Sequence, residues 1–230
     1  MNKNRPKYAI IMAGGKGLRM GAAFPKQFLM LEGKPLLMHT LQAFYQTDPG
    51  IGLILVLPDN QREFWRSLCK EHAFQIPHKL ASGGECRFDS VKNGLALAGK
   101  NGLIAIHDGV RPLVTSELIR RCYQAAHRYG AAIPVSGVIE SLRHVDGDHS
   151  VAVPRDGYRL VQTPQVFMAE LIQKAYQQAP GNDYTDDATV AEASGIPVRL
   201  IEGDRMNIKI TEPIDLQLAT FFYNLMHNKL

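Results

Sequence analysis

The chain has only three cysteines, Cys69, Cys86 and Cys122, and they lie far apart. No CxxC pair occurs, so neither a disulfide framework nor a cysteine-based zinc site is expected. All three read as buried free thiols. Long hydrophobic runs are missing too. None approaches the roughly 18 apolar residues that a membrane-spanning helix needs. The basic amino terminus, Met1 to Lys7, leads straight into an apolar segment and carries no signal-peptide pattern, so the cytoplasm is the expected compartment. Charge of one sign is also scarce. With 26 Lys+Arg against 22 Asp+Glu, the formal net charge is +4. There is no Lys/Arg block and no aromatic-basic ladder, so neither nucleic acid nor a membrane is an expected partner. A small positive excess suits small anionic ligands. Internal repeats and low-complexity tracts are absent.

What is present fits one large α/β domain: 230 residues, 45% of them hydrophobic. The first apolar run, Tyr8 to Ala13, reads as a buried strand of a parallel sheet. Gly14, Gly15 and Gly17 follow at once, then Arg19 and Pro25-Lys26. Glycine permits positive φ and close backbone approach, and successive amides in such a turn cradle anions. These residues predict a polyphosphate site at the carboxyl end of the first strand. The glycines alone leave a tight turn with no ligand open. A Walker A loop is excluded, because no Gly-Lys-Ser/Thr ending occurs. The dinucleotide fingerprint fails as well. Gly15, Gly17 and Gly21 have one residue too many, and no acidic residue ends the next strand, Ile51 to Leu57.

Strands and helices then alternate. Leu36, Leu37, Leu41 and Phe44 recur at helical spacing, and residues 51–57 form a strand. Residues 58–73 read as a helix with Phe64, Trp65 and Leu68 turned inward; His72 and His78 read as surface histidines. A glycine-rich break at Ala81 to Glu85 precedes a helix over 87–98 and a strand over 102–106. Thr115 caps a helix that ends at Gly130, and residues 131–135 form the next strand. This rhythm predicts a Rossmann-like, doubly wound, mostly parallel sheet with ligands beyond the carboxyl ends of its strands. Loops 14–26, 82–90 and 107–112 all fall on that edge.

Residues 137–160 break the rhythm. They are polar, with Val145-Asp146-Gly147-Asp148 as a hairpin turn. The segment reads as a protruding β-arm embedded in a single domain spanning 1–230. It has little of its own to bury, so it is expected to pack on a second subunit; a mobile surface hairpin is the alternative. The chain returns through 160–167 to a helix over 169–178. An acidic cap at Thr185-Asp186-Asp187, strands over 198–202 and 207–210, and a helix over 214–227 complete it.

Four elements in order carry a family resemblance. Ala13-Gly14-Gly15-Lys16-Gly17-Leu18-Arg19-Met20 with Phe24-Pro25-Lys26-Gln27-Phe28 resembles the signature of sugar-phosphate and polyol-phosphate nucleotidyltransferases. Gly83-Gly84-Glu85-Cys86-Arg87-Phe88-Asp89-Ser90 resembles the second signature of the cytidylyltransferase branch. Asp108-Gly109-Val110-Arg111-Pro112 and Asn207-Ile208-Lys209-Ile210-Thr211 follow. The best match in that branch is the 2-C-methyl-D-erythritol 4-phosphate cytidylyltransferase family, and it spans nearly the whole chain. The resemblance implies an enzyme that uses CTP and a divalent cation such as Mg²⁺ and acts as a homodimer built around the arm.

It also implies roles. Ala13, Gly14, Gly15, Gly17, Gly83, Gly84 and Ser90 would bind the nucleotide, with Cys86 near it. Arg19, Lys26 and Lys209 would stabilise charge at the reacting phosphates. Asp108, Arg111, Arg155 and Lys209 would bind the polyol phosphate, Arg155 by reaching the neighbouring subunit's site. Asp108 would also help hold Mg²⁺, which takes oxygen ligands and keeps several waters. Thr163-Pro164-Gln165 and Thr185-Asp186-Asp187 would shape the pocket or cap loops. One departure stands out: Gly137-Val138 occupies the place of the family's usual Asp-Thr pair, so a hydroxyl contact to the substrate is missing. The same motifs fit a ribitol 5-phosphate cytidylyltransferase. A non-catalytic nucleotide-sensing or scaffold protein is a third reading, against which the joint retention of Arg19, Lys26, Asp108 and Lys209 counts.

Overall fold

The computed structural model describes residues 5–14 and 25–227. Its centre is an eight-stranded sheet. Strand β1 (Lys7–Met12) lies between β4 (Gly52–Leu57) and β6 (Leu103–Asp108), parallel to both, and β5 (Lys79–Ser82) extends that side in parallel. A small hairpin, β2 (Met30–Leu31) and β3 (Lys34–Pro35), stands apart. On the other side β7 (Ala131–Gly137) does not touch β6. The antiparallel strand β11 (Gln165–Met168) sits between them. Strands β10 (Arg159–Val161) and β12 (Arg199–Glu202) both pair with β7, the first antiparallel and the second parallel.

Alternation along the strands divides the core. Ala9, Ile11, Leu53 and Leu55 face α1 (Leu36–Thr47), α2 (Arg62–Glu71) and α4 (Ser116–Tyr129). Ile10, Ile54 and Val56 face α3 (Arg87–Leu97), α5 (Ala169–Gln178) and α6 (Asp187–Ala193). Successive side chains point to opposite faces, so nearly continuous apolar strands must be covered on both sides. Gly94 lets α3 approach closely, because a Cβ there would come within 2.6 Å of Ile10 Cγ2. The carboxyl-terminal helix α7 (Pro213–Met226) packs on the β2–β3 side with Leu31, Leu36 and Val110.

The doubly wound expectation is met. The expected hairpin forms: among the described residues β8 (Leu142–Asp146) and β9 (His149–Val153) pair only with each other and join no larger sheet. Ile139, Val145, Val151, Tyr158 and Leu160 are exposed along this segment. Several local expectations change. Cys122 is buried, but Cys69 and Cys86 are only half-buried. Strand β5 appears where only a glycine break was read, because its four residues are too short to show a pattern. Residues 207–210 form an irregular connection. Phe64 is exposed and meets Phe28 edge-on at 5.1 Å. His78 is half-buried, and its Nε2 accepts from the Trp65 indole N–H at 2.9 Å.

Candidate active site

A cavity of about 340 Å³ opens at the carboxyl edge of the sheet, beyond β1 and β6. Ala13 and Gly14 form one wall, Gly84, Cys86 and Ser90 another, and Lys26, Asp108 and Lys209 the charged side. Each of the three loops expected on this edge contributes. Gly15, Gly17 and Arg19 lie outside the described residues.

The wall at Gly14 is clamped by Gln27, a residue to which the motif assigned no function. Its buried amide donates to the Ala13 carbonyl at 2.9 Å and to Gln61 Oε1 at 2.6 Å. Pro25 starts the short 3-10 turn that aims Lys26 and Gln27. The opposite wall is organised by Ser90. Its hydroxyl accepts from the Gly84 N–H at 2.8 Å and donates to the Cys86 carbonyl at 2.9 Å. That proton is therefore committed, and the oxygen faces Gly14 with only acceptor capacity left. Gly84 must be glycine, since a Cβ there would come within 2.3 Å of Asp89 Cβ. Gly83 sits behind it, its N–H bonded to the Leu57 carbonyl at 2.8 Å. Cys86 lines the cavity and its thiol donates to Asp89 at 3.1 Å.

The charged side is built around Asp108. Its Oδ2 meets Lys209 Nζ at 3.1 Å and accepts from Arg111 Nε at 3.2 Å. Burial alone would raise this carboxyl's pKa, but Lys209, then Arg111 and Arg87, hold it well below the usual carboxylate range. Among the described residues its Oδ1 has no hydrogen-bond partner. Arg111 is buried behind Asp108, and its Nη1 donates to the Asn207 carbonyl at 2.7 Å. It braces the Asn207–Lys209 connection rather than lining the cavity. Next to Asp108, buried His107 is neutral: desolvation lowers its pKa to about 4. Its Nε2–H donates to the Arg111 carbonyl, and its Nδ1 accepts from Thr163, whose oxygen accepts from the Asp108 N–H.

Arg87 follows the Gly83-Gly84 turn and opens α3. It lines the cavity and makes a two-pronged pair with fully buried Asp187, at 2.8 and 2.5 Å. Tyr176 donates to the same carboxylate at 2.6 Å. Burial opposes the Arg87 charge, and Asp187 more than restores it. Asp187 stands 100 positions from Arg87 in the chain, so only the fold could reveal the pair. Asp186 caps α6, accepting from the Thr189 N–H at 2.9 Å, and Gln165 ties that cap to β11. The peptide bond Thr163–Pro164 is cis. Arg155 does not line this cavity. It is exposed and donates to the Ile139 carbonyl within the arm.

A cavity at the strand ends of an α/β sheet, lined by Gly14, Gly84, two lysines and a strand-ending carboxylate, is the arrangement of a nucleotidyltransferase. A sequence model of 2-C-methyl-D-erythritol 4-phosphate cytidylyltransferase (IspD) matches residues 8–224. The chain belongs to that family. It is 57% identical to the 2-C-methyl-D-erythritol 4-phosphate cytidylyltransferase of Bacteroides thetaiotaomicron over 211 residues, 92% of this chain and 96% of that one. Among solved structures, that enzyme from Thermus thermophilus is 34% identical with a TM-score of 0.77, covering 93% of this chain and 97% of that one. The 4-diphosphocytidyl-2C-methyl-D-erythritol synthase of Anaerococcus prevotii, 26% identical, superposes with a TM-score of 0.82 over 96% of each chain.

Proposed function

We propose that the chain transfers a cytidylyl group from CTP to 2-C-methyl-D-erythritol 4-phosphate and releases pyrophosphate, in isoprenoid precursor synthesis. The observation that carries the chemistry is the convergence of Lys26, Asp108 and Lys209, from three distant parts of the sequence, on one cavity. A phosphate oxygen of the polyol phosphate attacks the α-phosphorus. The bond from that phosphorus to the bridging oxygen breaks, and pyrophosphate leaves with the electron pair. The attacking oxygen is already anionic at neutral pH, so no strong base is needed. The barrier is the meeting of two negative groups, which fixed cations and positioning lower.

Lys26 and Lys209 stabilise charge at the α-phosphorus, and Arg19 with the Gly14–Gly17 amides stabilises the leaving pyrophosphate. Gly83, Gly84 and Ser90 bind the base. The acceptor-only Ser90 oxygen suits an amino group such as that of cytosine, and the tight Gly84 turn suits a small ring. Arg111 acts on the polyol phosphate through the Asp108 and Lys209 arrangement. The ionised Asp108 carboxylate, whose Oδ1 has no hydrogen-bond partner among the described residues, fits a Mg²⁺ that draws its remaining ligands from triphosphate and water. Asp108 Oδ1 would hold it, and the metal would supply charge neutralisation on the phosphates. Two subunits joined through residues 137–160 place Arg155 at the neighbouring polyol phosphate. No described helix is long and apolar enough to cross a membrane, and a cytoplasmic homodimer is the working form.

The test is pyrophosphate release from CTP and Mg²⁺ with 2-C-methyl-D-erythritol 4-phosphate beside ribitol 5-phosphate. Preference for the methylated tetritol is expected. Preference for ribitol phosphate would move the protein to another polyol, and no turnover with either would leave a nucleotide-binding protein. Lys26→Ala should slow single turnover about 10²–10³-fold, as loss of one preorganised oxyanion donor does.

A further inference from the structure

A second cavity, of about 400 Å³, lies at the opposite edge of the sheet, against the amino ends of the same two strands. Register fixes the relation. Lys7 on β1 pairs with Leu103 on β6 at this end, and Met12 pairs with Asp108 at the reaction end. Five residues of strand, roughly 16–17 Å, separate the two sites.

The floor is apolar, formed by Ile51, Leu103, Ile119 and the Tyr123 ring. Tyr123 is fixed there, because its hydroxyl donates to the Tyr8 carbonyl at 2.7 Å. The rim is cationic. Lys7 pairs with Asp48 at 2.8 Å, so those two charges cancel. Arg5 and Arg120 remain on the rim, and neither has an ion-pair partner among the described residues. Arg120, Gln124 and His127 follow at helical spacing on α4 and form one face of the cavity. Two unpaired guanidinium groups and an imidazole over an apolar floor match a ligand with a doubly charged head and an apolar body. Guanidinium forks suit phosphate oxygens in pairs, and two of them balance a dianion better than a singly charged carboxylate. None of these groups belongs to the transfer reaction.

We infer that this cavity is a binding site for a small organic phosphate, its head held by Arg5 and Arg120 and its body on the Ile51–Leu103–Tyr123 floor. The probe is phenyl phosphate, followed by amide NMR shifts on the full-length protein. Shifts are expected at Lys7, Asp48 and Gln124, at probe concentrations where benzoate binds at least tenfold more weakly and benzyl alcohol leaves those amides unmoved. The double variant R5A/R120E changes exposed side chains only, so it keeps the fold. It should weaken phenyl phosphate at least tenfold at these amides and leave shifts around Lys26 and Lys209 unchanged, whether or not the cytidylyl transfer reading holds. Equal affinity of wild type and double variant, equal binding of benzoate, or shifts confined to the Lys26–Lys209 cavity would each overturn the inference.

Discussion

The reaction edge and the arm treat charge in opposite ways. At the reaction edge every described carboxylate or guanidinium that is buried has its partner within the same subunit: Asp108 with Lys209 and Arg111, and Arg87 with Asp187. In the arm, Arg155 is exposed, with a carbonyl of its own segment as hydrogen-bond acceptor. Apolar side chains follow the same division, packed to near zero exposure in β4 and β6 beneath the reaction edge and exposed at Val145 and Val151 in β8 and β9. The first region is preorganised by one chain. The second leaves its apolar side chains uncovered by the rest of the chain. Substitutions should separate the two, with large intrasubunit effects in one and effects on substrate or assembly in the other.

The largest effect is expected from Asp187→Ala. It leaves the Arg87 charge and the Tyr176 hydroxyl without their shared acceptor in a buried site. Breaking one half of a buried pair costs about 3–5 kcal/mol. Arg87 is 32% exposed, which softens the loss, while the stranded tyrosine adds to it. A loss of about 4 kcal/mol in urea unfolding is the expected outcome. A change below about 1 kcal/mol would mean that the network is incidental.

Next comes a pH effect from His107. Its folded pKa, about 4, lies below the ordinary value of 6.5, because burial disfavours the charged ring. The unfolded chain therefore binds the proton first. Stability from this group is complete above about pH 6.5 and is lost as pH falls towards 4, by about 3 kcal/mol. His107→Gln should flatten the stability profile between pH 6.5 and 4 even if it lowers stability throughout. An unchanged slope would assign the acid sensitivity to other groups.

Much of the reaction edge was legible in sequence because it is local. Apolar runs, glycine turns and their order put Gly14, Gly84, Ser90 and Asp108 on one sheet edge. Lys209 came from motif order rather than pattern, and its surroundings were misread as a strand. The irregular connection is held by Arg111, more than ninety positions away. Arg87–Asp187 and the insertion of antiparallel β11 between β6 and β7 left no local trace, since partners so distant impose no periodicity. Gln27 could have been found: a polar side chain one position after the motif lysine, beside Phe28, signals a buried amide with a backbone partner. The β8–β9 hairpin was legible for the opposite reason. Its polar alternation and Asp-Gly-Asp turn are short-range signals that need no core.

Arg155→Ala tests whether the two regions meet. One charge-assisted hydrogen bond to a phosphate is worth about 2 kcal/mol, so KM for the polyol phosphate should rise roughly 10- to 100-fold while KM for CTP and subunit stability stay near wild type. Equal rises for both substrates would place the arginine elsewhere.

The smallest effect on folding, and the sharpest on assembly, concerns the two faces of the arm. Val145 pairs with Ser150 and His144 with Val151, so the side chains of Val145 and Val151 point to opposite faces of the ribbon. Both are exposed in the single subunit, at 66% and 61%. Neither Val145→Ser nor Val151→Ser should change subunit stability by more than about 0.5 kcal/mol, as for other surface substitutions. A two-stranded ribbon has marginal stability alone, and a neighbour lying against it covers one face. One of the two substitutions should therefore raise the dimer dissociation constant in sedimentation equilibrium while the other leaves it unchanged. Which one does so identifies the packed face, and hence the side on which a neighbouring subunit would lie. If both variants dimerise like wild type, the ribbon is a free hairpin and the subunits, if they associate, do so elsewhere.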